Sequence, residues 1–141
     1  MWVVDTCVVI DVLEDDPVFG QASAKLLQRL LRDGLTICPV TFVELAPAFE
    51  GDTIEQKRFL NLAGISCLDV WSVADTEAAH AAWTRYVSAR RTDRVQKRPV
   101  ADLLIGGFAA GRRGLVTRNP DDFSRWFPSL KIRVPRVGLS I

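Results

Sequence analysis

At 141 residues and 15.7 kDa the chain has the size of one domain, and at 48% hydrophobic and 25% charged residues it has the composition of a soluble globular protein. That excludes disordered, collagen-like and coiled-coil chains, and no apolar run approaches the roughly 18 residues of a membrane span. A single domain spanning 1–141 is expected, large enough to bury about two-thirds of its surface. The opening MWVVDTCVVIDVLEDD sets Asp5 and Asp11 among hydrophobes without a basic leader, so no secretory signal is expected and the cytoplasm is the expected compartment.

The formal net charge of +1 conceals an asymmetry: residues 1–84 carry 5 Lys and Arg against 13 Asp and Glu, whereas residues 85–141 carry 13 against 4. Arg90, Arg91, Arg94, Lys97 and Arg98 form the densest run, diluted only by Asp93, and Arg112, Arg113 and Arg118 follow. Such a run suits either a solvated loop or a polyanion. Cys7, Cys38 and Cys67 stand singly, with no CxxC pair or zinc spacing, and read as reduced core thiols. His80 is the one histidine and falls in a predicted helix as a surface or lightly packed residue, so a cysteine or serine nucleophile lacks a base.

In chain order, WVVD predicts a short buried strand with Asp5 at its carboxyl end. Asp16-Pro17 is read as a helix start, with Ala22, Leu26, Leu27, Leu30 and Leu31 on one stripe until Asp33-Gly34. LTICP at 35–39 predicts the second strand. Thr41 is expected to cap a short helix through Glu44 and Ala48, kinked by Pro47, and Thr53 to start another that ends at Gly64. ISCLDV at 65–70 predicts the third strand, and Asp75 is expected to cap a longer helix through Trp83 and Val87. Residues 90–98 read as a basic mobile loop, Pro99 opens the helix ADLLIGGFAA, GLVT at 114–117 is the fourth strand and KIRV at 131–134 a fifth. Alternating strands and helices predict an α/β fold, a mostly parallel twisted sheet of four to five strands with helices on both faces.

In such sheets the working site lies beyond the carboxyl ends of the strands. Asp5, Glu44 on the first turn of the helix after the second strand, Asp102 on the first turn after Pro99, and Asp121 or Asp122 after the fourth strand all come to that edge. Each has a structural alternative. Thr41-x-x-Glu44 is a capping box, Asp102 suits a helix dipole, and Asp121 or Asp122 suits a turn. Asp5 is hardest to explain structurally, since an unpaired carboxylate beside a buried strand costs several kcal/mol. Two carboxylates about 5 Å apart repel by roughly 3 kcal/mol at an effective dielectric of about 20, and a divalent cation removes the conflict. A ligand set of carboxylates alone favours Mg²⁺ or Mn²⁺ over zinc and suits phosphodiester hydrolysis, with the basic half holding the polyanion.

Val3-Val4-Asp5-Thr6, Val40-Thr41-x-x-Glu44-Leu45, Pro99-x-Ala101-Asp102-x-Leu104-Ile105-Gly106 and Leu115-Val116-Thr117-Arg118-Asn119-x-x-Asp122-Phe123 together resemble the PIN-domain ribonucleases of VapC type, from residue 2 to about 134. The resemblance implies an RNA-cleaving toxin dependent on Mg²⁺ or Mn²⁺, restrained by a small cognate antitoxin and commonly a homodimer. It implies Asp5 and Asp102 as direct metal ligands, Glu44 as a ligand directly or through water, and Asp122 as the fourth acid. Thr6, Thr117 and Asn119 are implied as hydrogen-bonders that orient the carboxylates, and Arg91, Arg94, Lys97, Arg98 and Arg118 are candidate RNA contacts. Cys7 stands where Ser or Asn is frequent. Asn119 stands where many relatives have Asp, which leaves open whether Asp122, Asp121 or neither completes a second metal site.

Other residues read as structural. Trp71, Trp83, Tyr86, Phe123 and Trp126 are expected in the core rather than stacked on bases, and Asp11 is expected to be solvated. Asp15 and Asp16 read as helix starts, and Gly106-Gly107 as a site of close packing. A PIN-like binding protein with impaired catalysis, sequestered by a partner, is the alternative function. A haloacid-dehalogenase-type hydrolase would want a second Asp at position 7, where Cys7 stands.

Overall fold

A computed structural model of the protein describes residues 1–92 and 99–138. The strands are β1 (Trp2–Val4), β2 (Leu35–Thr36), β3 (Ile65–Ser66), β4 (Gly114–Val116) and β5 (Ile132–Arg133), all parallel in the order β3-β2-β1-β4-β5. From the central β1 the chain first builds outward through β2 and β3, then returns to add β4 and β5 on the other side. The strand order therefore reverses between β1 and β4, and the crevice beyond their carboxyl ends is where an open α/β sheet binds ligands.

Side chains of β1 alternate between two cores, as a strand covered on both faces requires. Trp2 and Val4 pack with Val8, Val9, Leu26, Leu30 and Leu60, from helices α1 (Thr6–Leu13), α2 (Gly20–Leu30) and α4 (Thr53–Leu62). Val3 packs on the opposite face with Ile105 and Phe108 of α6 (Val100–Ala110). Against α6 lies α5 (Val73–Thr92), whose Ala82 and Tyr86 share a third cluster with Leu103, Trp126 and Phe127. Gly106 and Gly107 make this approach possible: a Cβ at Gly106 would run into the Phe127 ring, and one at Gly107 would stand 2.9 Å from the Ala79 backbone nitrogen. The expected close packing is thus within the chain.

Several local expectations are corrected. α1 follows Asp5 with no intervening loop and was not among the predicted elements. α2 begins at Gly20 because the Asp16 carboxylate is spent on the Val18 and Phe19 N–H groups of a preceding turn. The helix after β2 is α3 (Pro39–Glu44), which starts two residues before Thr41, in agreement with the preference of Pro for a first turn. Thr41 therefore lies inside α3 and caps nothing, and Glu44 is its last residue, not part of its first turn. Pro47 does not kink α3, since it belongs to a separate 3-10 turn, Ala46–Phe49. At α5 the cap is Ser72, whose Oγ accepts from Asp75 N while Asp75 Oδ2 accepts from Ser72 N, a reciprocal pair in which Asp75 is the inner member. The second, third and fifth strands pair over only two residues each. Of the aromatic residues expected in the core, Tyr86, Phe123 and Trp126 are buried, Trp71 is half-buried against Phe108, and Trp83 is exposed. Among the described residues no helix is long and apolar enough to cross a membrane.

Candidate active site

The site is built where β1 and β4 end. Asp5 has extended backbone, closes β1 and caps α1, so its carboxylate is fixed at the strand-to-helix corner. Its Oδ1 accepts from Thr6 N at 2.8 Å, and its Oδ2 accepts from Thr117 Oγ1, just past β4, at 2.7 Å. The Cys7 thiol donates to the same Oδ2 at 3.4 Å. Thr117 is oriented in turn by Asn119, whose backbone N–H donates to Thr117 Oγ1 at 3.1 Å. A relay of Asn119, Thr117 and Asp5 thus spans the crevice between the two strands.

A second relay runs from α3. Thr6 Oγ1 lies 2.9 Å from Thr41 Oγ1 and 2.7 Å from Glu44 Oε1. A hydroxyl carries one proton and a carboxylate only accepts, so Thr6 donates to Glu44 while the Thr41 hydroxyl completes the chain by donating to Thr6. The position of Glu44 at the end of α3 brings it back toward β1.

Asp102 lies in the first turn of α6 and Asp122 in the first turn of α7 (Asp121–Ser124). Burial, followed by the charges of Asp5, Asp122 and Glu44, pushes the Asp102 carboxyl up to about 7. Burial also raises Asp5, against the pull of its Thr117, Cys7 and Thr6 hydrogen bonds and with a small addition from Glu44. The Cys7 thiol is driven up to about 11 by burial and then by Asp5, so it stands protonated beside the carboxylate. Asp5, Glu44, Asp102 and Asp122 thus act on one another, while Asp121 is exposed on α7.

Among the described residues none of the four acids is in an ion pair. Nor, among those residues, do three His, Cys, Asp or Glu side chains stand close enough together to hold a metal ion as they are placed. The cluster is one of repulsion around Asp102 without an ion-paired cation among the described residues. Its donors are hard oxygens, and the charge it lacks is positive, which fits a divalent ion of the Mg²⁺ or Mn²⁺ kind.

Three participants carried another reading in the sequence. Thr41, read as a cap, is the far end of the Glu44 relay. Cys7, read as a core thiol, belongs to the site: its sulfur touches Asp5 and stands 3.9 Å from both Thr117 Oγ1 and Asn119 Nδ2. Asp11, expected in solvent, is 3% exposed on α1 and lies 3.0 Å from Arg118 Nε, a contact of charge rather than an aligned hydrogen bond. The Arg118 guanidinium also sits 4.7 Å from the Phe19 ring centre, so this candidate RNA contact is occupied within the chain. Arg91 is exposed in the last turn of α5, and Arg94, Lys97 and Arg98 lie outside the described residues, as does most of the expected basic loop.

Comparison with known proteins gives a family and a fold. The family described as the PIN domain matches residues 2–126. Among solved structures, a chain in the crystal structure of VapBC2 from Rickettsia felis bound to a DNA fragment from their promoter superposes with a TM-score of 0.67. The superposition covers 94% of this chain and 97% of that chain, at 18% sequence identity. No curated protein sequence matches.

Proposed function

Because the chain belongs to the PIN-domain family, whose members are generally nucleases, we propose that it is a metal-dependent endoribonuclease hydrolysing RNA phosphodiester bonds, and the toxin of a toxin–antitoxin pair. The observation that carries this reading is the convergence of four carboxylates at the ends of β1 and β4, where burial and the charges of Asp5, Asp122 and Glu44 drive the Asp102 carboxyl to about 7 with no ion-paired cation among the described residues. In the proposal Asp5 and Asp102 hold Mg²⁺ or Mn²⁺ directly, Glu44 directly or through water, and Asp122 is the fourth acid. A bound divalent ion supplies neutralisation of the phosphate and acidification of the attacking water.

The chain's own residues do the positioning. Thr117 and the Thr6 N–H fix both oxygens of Asp5, so its remaining lone pairs keep one direction. Thr6 holds Oε1 of Glu44, and among the described residues Oε2 has no hydrogen bond. Asp122, whose charge acts on Asp102, would orient water or a second ion.

The partner in this reading is a small antitoxin that presents an Arg or Lys to the acid cluster, substituting a cation for the metal. The neighbour from Rickettsia felis is itself part of a complex, which supports a partner protein here. A homodimer and a cytoplasmic location complete the proposal. The test is cleavage of a labelled RNA pool with Mn²⁺, with EDTA, and with Asp5→Asn. Loss of cleavage in EDTA and a drop of at least about 10²–10³ in rate for Asp5→Asn are expected. Undiminished cleavage in EDTA would reject it.

A further inference from the structure

A groove of about 380 Å³ lies between α2 and the edge strand β5, lined by Leu26, Arg29, Ile132, Arg133, Val134 and Arg136. Leu26, Ile132 and Val134 are its apolar lining, and every charged side chain that lines it is a guanidinium. Arg29, Arg133 and Arg136 are exposed, and among the described residues none of them is in an ion pair. The Arg133 guanidinium stands 5.8 Å over the Trp2 ring, within cation–π range, which restricts where it rests. Like charges around one concavity raise one another's energy, and a ligand with regularly spaced negative charges relieves them.

The groove joins the acid cluster through the sheet. β5 pairs with β4, and Thr117 N donates to Arg133 O at 3.0 Å, while the same Thr117 donates its hydroxyl to Asp5. We propose that this groove is a docking track for the phosphodiester backbone of the RNA, separate from the acids and leading toward them. The choice of polyanion rests on the nuclease reading above; the cationic groove does not. Guanidinium forks match phosphate oxygens in two-point fashion, and backbone contacts hold a strand without reading its sequence.

The experiment is fluorescence anisotropy of fluorescein-labelled rU20 and rA20 with the full chain in EDTA, titrated between about 50 and 200 mM salt. Each phosphate contact on a single strand contributes about 0.7 to the slope of log K against log salt, so R29Q/R133Q/R136Q should flatten the slope by about 2 for both oligomers. Arg58→Gln, whose parent is already paired with Glu55, should leave it unchanged. Circular dichroism melts verify the fold, and should the triple variant fail to fold, R133Q and R136Q alone should each remove about 0.7. An unchanged slope in a folded variant would overturn the proposal, as would wild-type protein that ignores rU20 and binds polyglutamate, the mark of an acidic protein occupant. A flattened slope without any metal-dependent cleavage would sink the nuclease reading and keep the groove. Cleavage with an unchanged slope would sink the groove alone.

Discussion

The two halves of the acid cluster are built differently. Asp5 and Glu44 are held by hydroxyls through Thr117 and Thr6, whereas for Asp102 and Asp122, among the described residues, no side-chain hydrogen bond is present. Both Asp5 and Asp102 lose solvent, but donors oppose the rise at Asp5, and at Asp102 nothing among the described residues opposes burial and three neighbouring charges. The contrast separates two tasks. One half is rigid before any ligand arrives, which fixes where an ion sits, and the other stays electrostatically unsatisfied, which makes that ion's arrival favourable.

The largest effect is expected at Asp102. Asp102→Asn removes the charge that most needs a cation, and calorimetric titration with Mn²⁺ should show affinity lowered by at least about 100-fold. Wild-type affinity in this variant would mean that the unsatisfied half does not bind the ion. A smaller effect is expected on the rigid half. Thr117→Val keeps every carboxylate but deletes the donor to Asp5, and should lower Mn²⁺ affinity or cleavage by about 10–100-fold, with Thr117→Ser restoring it. Equal behaviour of Val and Ser would show that the relay does not orient Asp5.

The smallest effect sharpens the electrostatics. In the fold the Asp102 proton is held up to about 7 against an ordinary 3.8, so the native state binds more protons than the unfolded chain across that interval. The contribution of this group to stability is complete below about 4 and is lost as pH rises through about 7. Thermal melts in EDTA should therefore lose a few degrees between pH 5 and 8, and Asp102→Asn should lose less over the same range. Mn²⁺ should act in the opposite direction, raising the melting temperature most at pH 8, where no proton competes for the carboxylate. A melt whose pH dependence is the same in wild type and Asp102→Asn would show that Asp102 is not the group whose proton is held up.

What the sequence made legible follows its local chemistry. Asp5 was readable because an acid directly after a β-branched run has few structural uses, and Asp102 because Pro99 marks where its helix starts. Glu44 was readable as an acid of the cluster but misplaced on its helix. The spacing Thr41-x-x-Glu44 imitates a capping box, while the stronger start signal was Pro39. The relays were legible only in part: Thr6, Thr117 and Asn119 lie beside acids, but Thr41 meets Thr6 across two elements, a contact that no short motif encodes. The same limit applies to Asp11 and Arg118, on α1 and after β4, and to the arginine groove, whose cations come from the end of α2 and the region of β5. Short strands were overestimated because apolar runs such as ISCLDV continue past the two residues that find a partner strand.

The most direct measurement is anomalous scattering from a crystal soaked in manganese. A manganese ion is expected to touch the carboxylates of both Asp5 and Asp102, with Glu44 and Asp122 in the same coordination sphere or one water away. Manganese bound elsewhere, with the Asp5 and Asp102 carboxylates both bare, would contradict it.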